Sequence, residues 1–249
     1  MPRYILLHST ASTNTYLSKM AMMLPSGTVI HTPHQSEGRG QRGNSWESES
    51  GKNALFSMLI KKPAVPVASQ FAISEAVAVA IVEVLSQYCK DISIKWPNDI
   101  YYQDRKLSGI LIEHSVMGSG INHTIIGVGL NVNQTVFLSD APNPVSLAQI
   151  LGRELPVDEV MHKVCEAIEK RCTFESYGEN EFATLHRDFM SHLYRYDGKR
   201  YPFMLPNGEC VNASIADVER SGMLVLEYEN GEKNSFAFKE IAFVINNNL

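Results

Sequence analysis

Between Gly38 and Trp46 the chain reads GRGQRGNSW; KWPND runs from Lys95 to Asp99, and RKLSGILIE from Arg105 to Glu113. Three glycines allow a backbone to come close to an anion, and Arg39 and Arg42 offer planar forks that match carboxylate or phosphate oxygens. Lys106 opens a largely apolar strand that would carry its ammonium to a central pocket, and Gly109 suggests close approach by a ligand or another strand. Together these segments describe a site that holds two anions against each other. Taken singly, each has a plainer reading: the loop as a flexible surface turn, and Lys106 as a solvated lysine on an edge strand. In KWPND, Pro97 sets the chain direction, while Asn98 and Asp99 can present oxygens to Mg²⁺ or hydrogen-bond a nucleotide; PND is equally a good turn.

The elements that must carry these residues follow from periodicity. Short apolar runs punctuated by glycine read as strands: Ala54 to Ile60, a run ending at Trp96, one ending at Glu113 and one ending at Val132. Between the first two, Ile73, Val77, Ile81, Val84, Leu85 and Tyr88 recur at helical spacing. This order predicts an α+β fold, a mixed or antiparallel sheet covered by helices on one face. Two further helices are expected at about 158–172 and 181–193. From Tyr196 the pattern changes to short strands joined by PNGE and ENGE turns, in which each Asn-Gly would supply the positive φ values of a two-residue hairpin. The expected division is a main domain over residues 1–194 and a small β-barrel over 195–249.

Composition narrows the class of protein. The 249 residues suffice for a real core, and a formal net charge of −5 gives no sign of a nucleic-acid-coating protein. No apolar run was found to reach the roughly 18 residues of a membrane helix, so no membrane partner is expected. Cys89, Cys165, Cys172 and Cys210 lack metal or redox spacing and read as buried reduced thiols of a cytoplasmic protein. His31, His34, His186 and His192 show no HExxH pattern, and read as surface or satisfied structural histidines.

In this order, GRGQRGNSW, KWPND, KLSGILIE and GVGLNV resemble the biotin protein ligases of the biotin–[acetyl-CoA-carboxylase] type, from about Ser12 to the C-terminus. The resemblance implies a class II aminoacyl-tRNA synthetase-like catalytic domain with a small SH3-like C-terminal barrel. It implies ATP with Mg²⁺, biotin as substrate, biotinyl-5′-AMP as intermediate, and one lysine of a biotin carboxyl carrier protein as acceptor. Only about ten residues precede the first motif, so the type without an N-terminal helix-turn-helix domain is expected. An exposed sheet edge would be open to a second copy, giving a homodimer, or to the β-rich carrier.

Residue roles carried over by the resemblance are these. Lys106 bridges the biotin carboxylate and the α-phosphate, and joins Arg39 and Asp99 as the catalytic set; Asp99 alternatively accepts a proton from the incoming amine. Ser12, Thr13, Asn14, Gln35, Arg39, Gly40, Gln41, Lys106 and Gly109 bind biotin; the STN run also reads as a helix N-cap. Arg39, Arg42, Trp46, Lys95, Asn98, Lys106 and Asn131 contact ATP or the adenylate, with Asn98 at the metal. Gly127 and Gly129 make room for a ligand. The chain departs from the family loop at Gln41 and Asn44, where many members carry arginine, so a looser grip on the adenylate is expected. The rival within the same fold is a lipoate or octanoate ligase or transferase.

Overall fold

The structure is a computed structural model and describes residues 1–118, 120–138, 143–173 and 178–245; the side chain of Arg42 lies outside this description. It begins with β1 (Arg3–Leu6), α1 (Thr13–Met20), β2 (Thr28–His31) and β3 (Ala54–Lys61). Next come α2 (Phe71–Leu85), β4 (Ile92–Lys95), β5 (Asp99–Tyr102), β6 (Arg105–Met117) and β7 (Gly120–Leu130). Three helices follow, α3 (Leu147–Leu151), α4 (Val157–Cys172) and α5 (Glu179–Ser191). The chain ends in β8 (Tyr201–Met204), β9 (Cys210–Val218), β10 (Leu224–Glu227), β11 (Lys233–Phe236) and β12 (Ala242–Phe243).

The first seven strands form one mixed sheet in the order β1-β2-β3-β7-β6-β5-β4, in which only β1 and β2 run parallel. Helices α2, α4 and α5 bury their apolar faces with Phe56, Met58, Ile126 and Val128 in one large core. The expectation of helices on one face is corrected by α1. Its Leu17 and Ala21 pack on the opposite face against Ile30, Leu59 and Ile125, because side chains alternate along β2, β3 and β7. This second face carries the site. One sheet edge is occupied: Ile94 N–H donates to His192 O and Tyr194 N–H to Ile94 O, each at 2.8 Å.

Two further expectations change. The stretch Val67–Leu85 does reach 19 residues with a mean hydropathy of 1.6. Its apolar surface is accounted for by burial between the sheet and α4 and α5. The cysteines divide: Cys165 and Cys172 are buried, Cys89 is half-buried and Cys210 is exposed on β9. Burial pushes the Cys172 thiol up to about 12.

The C-terminal strands form an antiparallel sheet in the order β11-β10-β9-β8-β12, a ladder not closed between β11 and β12 among the described residues. Both NG turns are hairpins, but only Gly208 and Gly231 have positive φ (83° and 81°). Asn207 and Asn230 instead accept the backbone N–H two residues on through Oδ1, at 2.9 and 3.0 Å, which is the Asx alternative to a mirror-image turn. Phe203, Ile215, Leu224, Leu226 and Ile241 of this region join the main hydrophobic core.

A polar clamp also joins the two parts. His186 on α5 stands 2.8 Å from Oε1 of the buried Glu75 on α2 and 2.9 Å from Oδ1 of Asp217 on β9. Hydrogen bonding to Glu75, opposed by burial and aided by Asp217, raises the imidazole to about 8. A folded-state value above the ordinary 6.5 means that the protonated ring stabilises the fold. That contribution is complete below the unfolded value and lost as pH rises through about 8. Urea unfolding is expected to lose about 1–2 kcal/mol more stability between pH 6.5 and pH 9 in the natural sequence than in His186→Gln, which keeps only the loss due to the buried thiols. An equal step in both proteins would remove His186 as its source.

Candidate active site

Two neighbouring strands, β6 and β7, supply glycines for a floor without side chains. In the antiparallel register Asp99 faces Gly109, Gly109 faces Gly129, and Leu111 faces Gly127, which in turn faces Ser57 on β3. Lys95 on β4 pairs with Asp99 at the other end. These are two adjacent rows, and from Ser57 in one to Lys95 in the other the floor crosses four strand spacings, roughly 19 Å at about 4.8 Å each. The glycines are required by what lies on them. A Cβ on Gly127 would fall 2.2 Å from Asn14 Oδ1, and one on Gly129 would fall 2.4 Å from the Trp46 ring. Gly127 and Gly129 therefore make room for site side chains, where the sequence suggested room for a ligand.

Neutral hydrogen-bonding groups gather at the α1 end. Ser12 is the N-cap of α1, but its hydroxyl makes no capping bond. Gln35 takes that role, its Oε1 accepting from Thr13 N at 2.7 Å and from Thr13 Oγ1 at 3.0 Å. This leaves Gln35 with its two amide N–H groups to offer. Ser57 Oγ lies 2.7 Å from Thr13 Oγ1 and 2.5 Å from Asn14 Oδ1. Asn14 Nδ2 donates to Glu113 Oε2 at 2.8 Å, and Glu113 Oε1 takes Arg39 Nη2 at 2.8 Å. Sequence reasoning missed both Ser57 and Glu113, although a lone serine inside ALFSMLI was a visible anomaly.

Charge concentrates at the other end. Lys106 Nζ forms an ion pair with Asp99 Oδ1 at 2.7 Å, both side chains mostly buried. β6 is an interior strand, which excludes the edge-strand reading. A register shift supplies the decisive geometry: Ile100 pairs with Ser108, but Tyr101 pairs with Lys106. The extra residue, Leu107, turns into the core, and Lys106 joins Gly109 and Asp99 on one face, where regular alternation would have placed residues three apart on opposite faces. Lys95 Nζ lies over the rings of Tyr101 (5.3 Å) and Phe243 (4.8 Å), and burial holds its pKa below the ordinary lysine value. Asn98 Nδ2 donates to Ile110 O at 2.5 Å, which leaves Oδ1 as a fixed acceptor.

The glycine loop crosses the middle. It closes on itself, with Trp46 N–H donating to Gly38 O at 2.9 Å and Gly40 N–H to Asn44 O at 2.6 Å. Of the three glycines expected to approach an anion, Gly40 thus has its N–H occupied within the loop. Trp46 stands over Gly109 and Gly129, 5.7 Å from Lys106 Nζ. Trp46 Nε1 and Gln41 Oε1 are both buried without a hydrogen-bond partner among the described residues. Arg42 lies on the short 3₁₀ turn Gln41–Gly43, and its side chain is outside the described residues.

The cavity so formed is lined by Ser12, Thr13, Asn14, Gln35, Arg39, Gly40, Gln41, Trp46, Lys95, Asn98, Asp99, Lys106 and Gly109 from the sequence expectation. Its free volume is about 120 Å³, below the roughly 300–1,000 Å³ of ordinary ligand sites, because the indole occupies its centre. Two placements differ from expectation. Asn131 is absent from the lining: it is buried beneath, its Nδ2 donating to Val145 O at 3.1 Å. Arg39 sits with Glu113 at the neutral end, away from the Lys106–Asp99 pair. Phe238, from the C-terminal sheet, lines the cavity without any signal in the sequence.

Residues 6–131, half of the chain, match the family model described as the biotin/lipoate A/B protein ligase family. Over 121 residues the chain is 39% identical to the bifunctional ligase/repressor BirA of Escherichia coli, covering 45% of this chain and 37% of that protein. The chain thus spans less than two thirds of the length of the first curated relatives it matches. It is 26% identical over 237 residues to the biotin–[acetyl-CoA-carboxylase] ligase of Paracoccus denitrificans, covering 92% of this chain and 95% of that one. Among solved structures, the biotin protein ligase of Aquifex aeolicus in complex with biotin and ATP superposes with a TM-score of 0.78. It shares 23% identity, and the match covers 97% of this chain and 98% of that one; this likeness speaks for the fold.

Proposed function

From the premise that this chain belongs to the biotin/lipoate A/B protein ligase family, we propose that it joins biotin to ATP and passes the biotinyl group to a lysine of a biotin carboxyl carrier protein. A biotin carboxylate oxygen attacks the α-phosphorus, the bond to the β-phosphate oxygen breaks, and pyrophosphate leaves. The carrier amine then attacks the acyl carbon of biotinyl-5′-AMP, and AMP leaves. The observation that carries this reading is the single groove, neutral at Asn14 and Ser57 and cationic at Lys106 and Lys95. A ureido group needs uncharged donors and acceptors, and Thr13, Asn14, Gln35 and Ser57 provide them. Negative charge that builds on the phosphoryl group needs a fixed cation, and Lys106 stands at the junction.

Magnesium accompanies the nucleotide in this reading. The pinned Asn98 amide presents a carbonyl oxygen at the cationic end, the type of hard donor that Mg²⁺ accepts alongside phosphate oxygens. The ion would neutralise polyphosphate charge there. Asn131 lies outside the groove and is given no part. Four free cysteines suit a reducing, cytoplasmic location. Since the loop indole fills the centre, the groove must widen at Trp46 to admit the adenylate.

Incubation with biotin, MgATP and a carrier domain should yield a carrier with one biotinyl group on its acceptor lysine. Pyrophosphate exchange that depends on lipoate rather than biotin would overturn the reading. The neutral end has its own test. Gly127→Ala places a methyl against Asn14 Oδ1 and displaces it from Ser57, so biotin affinity should fall about tenfold or more, through loss of one or two hydrogen bonds. Calorimetric titration with biotin measures this directly.

A further inference from the structure

Glu113 stands outside the groove lining, yet it touches both elements that close the neutral end. On β6 it follows Gly109 and Leu111 along one face, at the period of two that a strand imposes. Its two carboxylate oxygens divide between two partners. Oε2 accepts from Asn14 Nδ2 on α1 and Oε1 from Arg39 Nη2 in the glycine loop, each at 2.8 Å. The other Arg39 nitrogen, Nη1, lies 3.3 Å from Thr15 Oγ1 and 3.4 Å from Glu113 Oε2. Asn14 is buried, and its amide spends both N–H groups, one on Glu113 and one on Leu111 O at 3.2 Å. Turning that amide over would set its oxygen against a carbonyl and a carboxylate. Glu113 therefore helps to decide that Asn14 offers Oδ1, an acceptor, on the side of Ser57, which is what a ureido N–H needs.

We infer that Glu113 is a positioning residue with two tasks: it orients Asn14 for biotin, and it latches the glycine loop through Arg39. The inference rests on the activity proposed above. A carboxylate suits both tasks at once, because it carries two acceptor oxygens and the charge that a guanidinium grips. The Arg39 and Glu113 side chains are 45% and 36% exposed, so the ion pair adds little to the stability of the whole fold. Its effect is local. Arg39 is the second residue of a loop whose far limb carries Trp46 over the centre of the groove. Holding Arg39 to β6 fixes the near limb, so the widening that admits the adenylate falls to the residues beyond Gly40. An adenylate beneath the loop then escapes faster when the near limb is free to lift as well.

The test compares the full natural chain with Glu113→Gln and Glu113→Ala by calorimetric titration of biotin, release of preformed biotinyl-5′-AMP on dilution, and melting temperature. Glutamine keeps one carbonyl oxygen, enough for Asn14, and loses the charge that grips Arg39. The expected result for Glu113→Gln is release roughly 3–10-fold faster with the Kd for biotin within about twofold. Glu113→Ala loses both contacts, so release should quicken equally and the Kd for biotin should rise roughly fivefold. Because the pair is half-exposed, release from the natural protein should quicken between about 0.05 and 1 M salt, and from Glu113→Gln distinctly less. Unchanged or slower release in Glu113→Gln, or an equal salt response, overturns the latch. An unchanged Kd for biotin in Glu113→Ala overturns the orienting task. Equal losses in both variants with a lowered melting temperature would make Glu113 a packing residue and overturn both. If the unaltered chain neither binds biotin nor forms the adenylate, the proposed activity itself fails, a result distinct from these.

Discussion

Replacing Lys106 by alanine is expected to lower biotin-dependent ATP–pyrophosphate exchange by about 10²–10³-fold, the range for removing one preorganised charge from a site of developing negative charge. The ground state holds Nζ against Asp99 at 2.7 Å on an interior strand, so the ammonium is fixed before any ligand arrives. An ion already oriented needs no reorganisation as charge builds on the α-phosphoryl oxygens, and the fall should therefore be in kcat rather than in the KM for biotin. Removing the cation also leaves Asp99 mostly buried beside incoming phosphates, adding like-charge repulsion. The double variant Lys106→Ala, Asp99→Asn separates the two effects: partial recovery measures the repulsion, and the residual deficit measures the lost cation. Unchanged exchange in Lys106→Ala would falsify the assignment of the reacting centre.

The Gln41→Arg variant is expected to release biotinyl-5′-AMP roughly 10–100-fold more slowly, the effect of exchanging a neutral hydrogen bond for one or two charge-assisted ones. Gln41 lines the groove, and its Oε1 is buried without a partner among the described residues, so the side chain already points where the ligand must pass. An amide there can orient a ligand but brings no net charge to a phosphate ester; a guanidinium would bring both. Rapid dilution of preformed enzyme–adenylate, with release followed by loss of single-turnover transfer to the carrier, measures the rate. A slower release from the natural Gln41 protein than from Gln41→Arg would refute the looser grip.

Most elements were legible because burial imposes a period. The largely apolar β3 is buried along nearly its whole length between α1 and the helical layer, and α4 buries Val160, Val164 and Ile168 at the spacing the sequence displays. Both hairpins fell at their Asn-Gly pairs, although the asparagines act through side-chain oxygens and not through positive φ. The apolar character of α2 was underestimated, since a helix covered on several sides carries too little periodicity to be judged by a stripe.

The site was less evenly readable. Motif residues identify themselves by type, and most of those expected do line one groove. Their partners do not: Glu113 binds Arg39 and Asn14 across 74 and 99 residues of chain, and Ser57 reaches Asn14 across 43. Asn131, in a motif as suggestive as the others, is buried outside the groove lining, its Nδ2 donating to the Val145 carbonyl.

By itself, then, the sequence determined the order of strands and helices, the family and the chemical types available to the site, because periodicity and residue type are local properties. Tertiary structure alone decided which of those groups meet. Strand register stacked Gly109, Gly127 and Gly129 into a floor; a single-residue shift between β5 and β6 brought Lys106 to the face of Asp99; and the C-terminal sheet delivered Phe238. Register carries this weight because side chains alternate with period two, so one extra residue exchanges core for groove, and no local pattern reveals where the ladder slips.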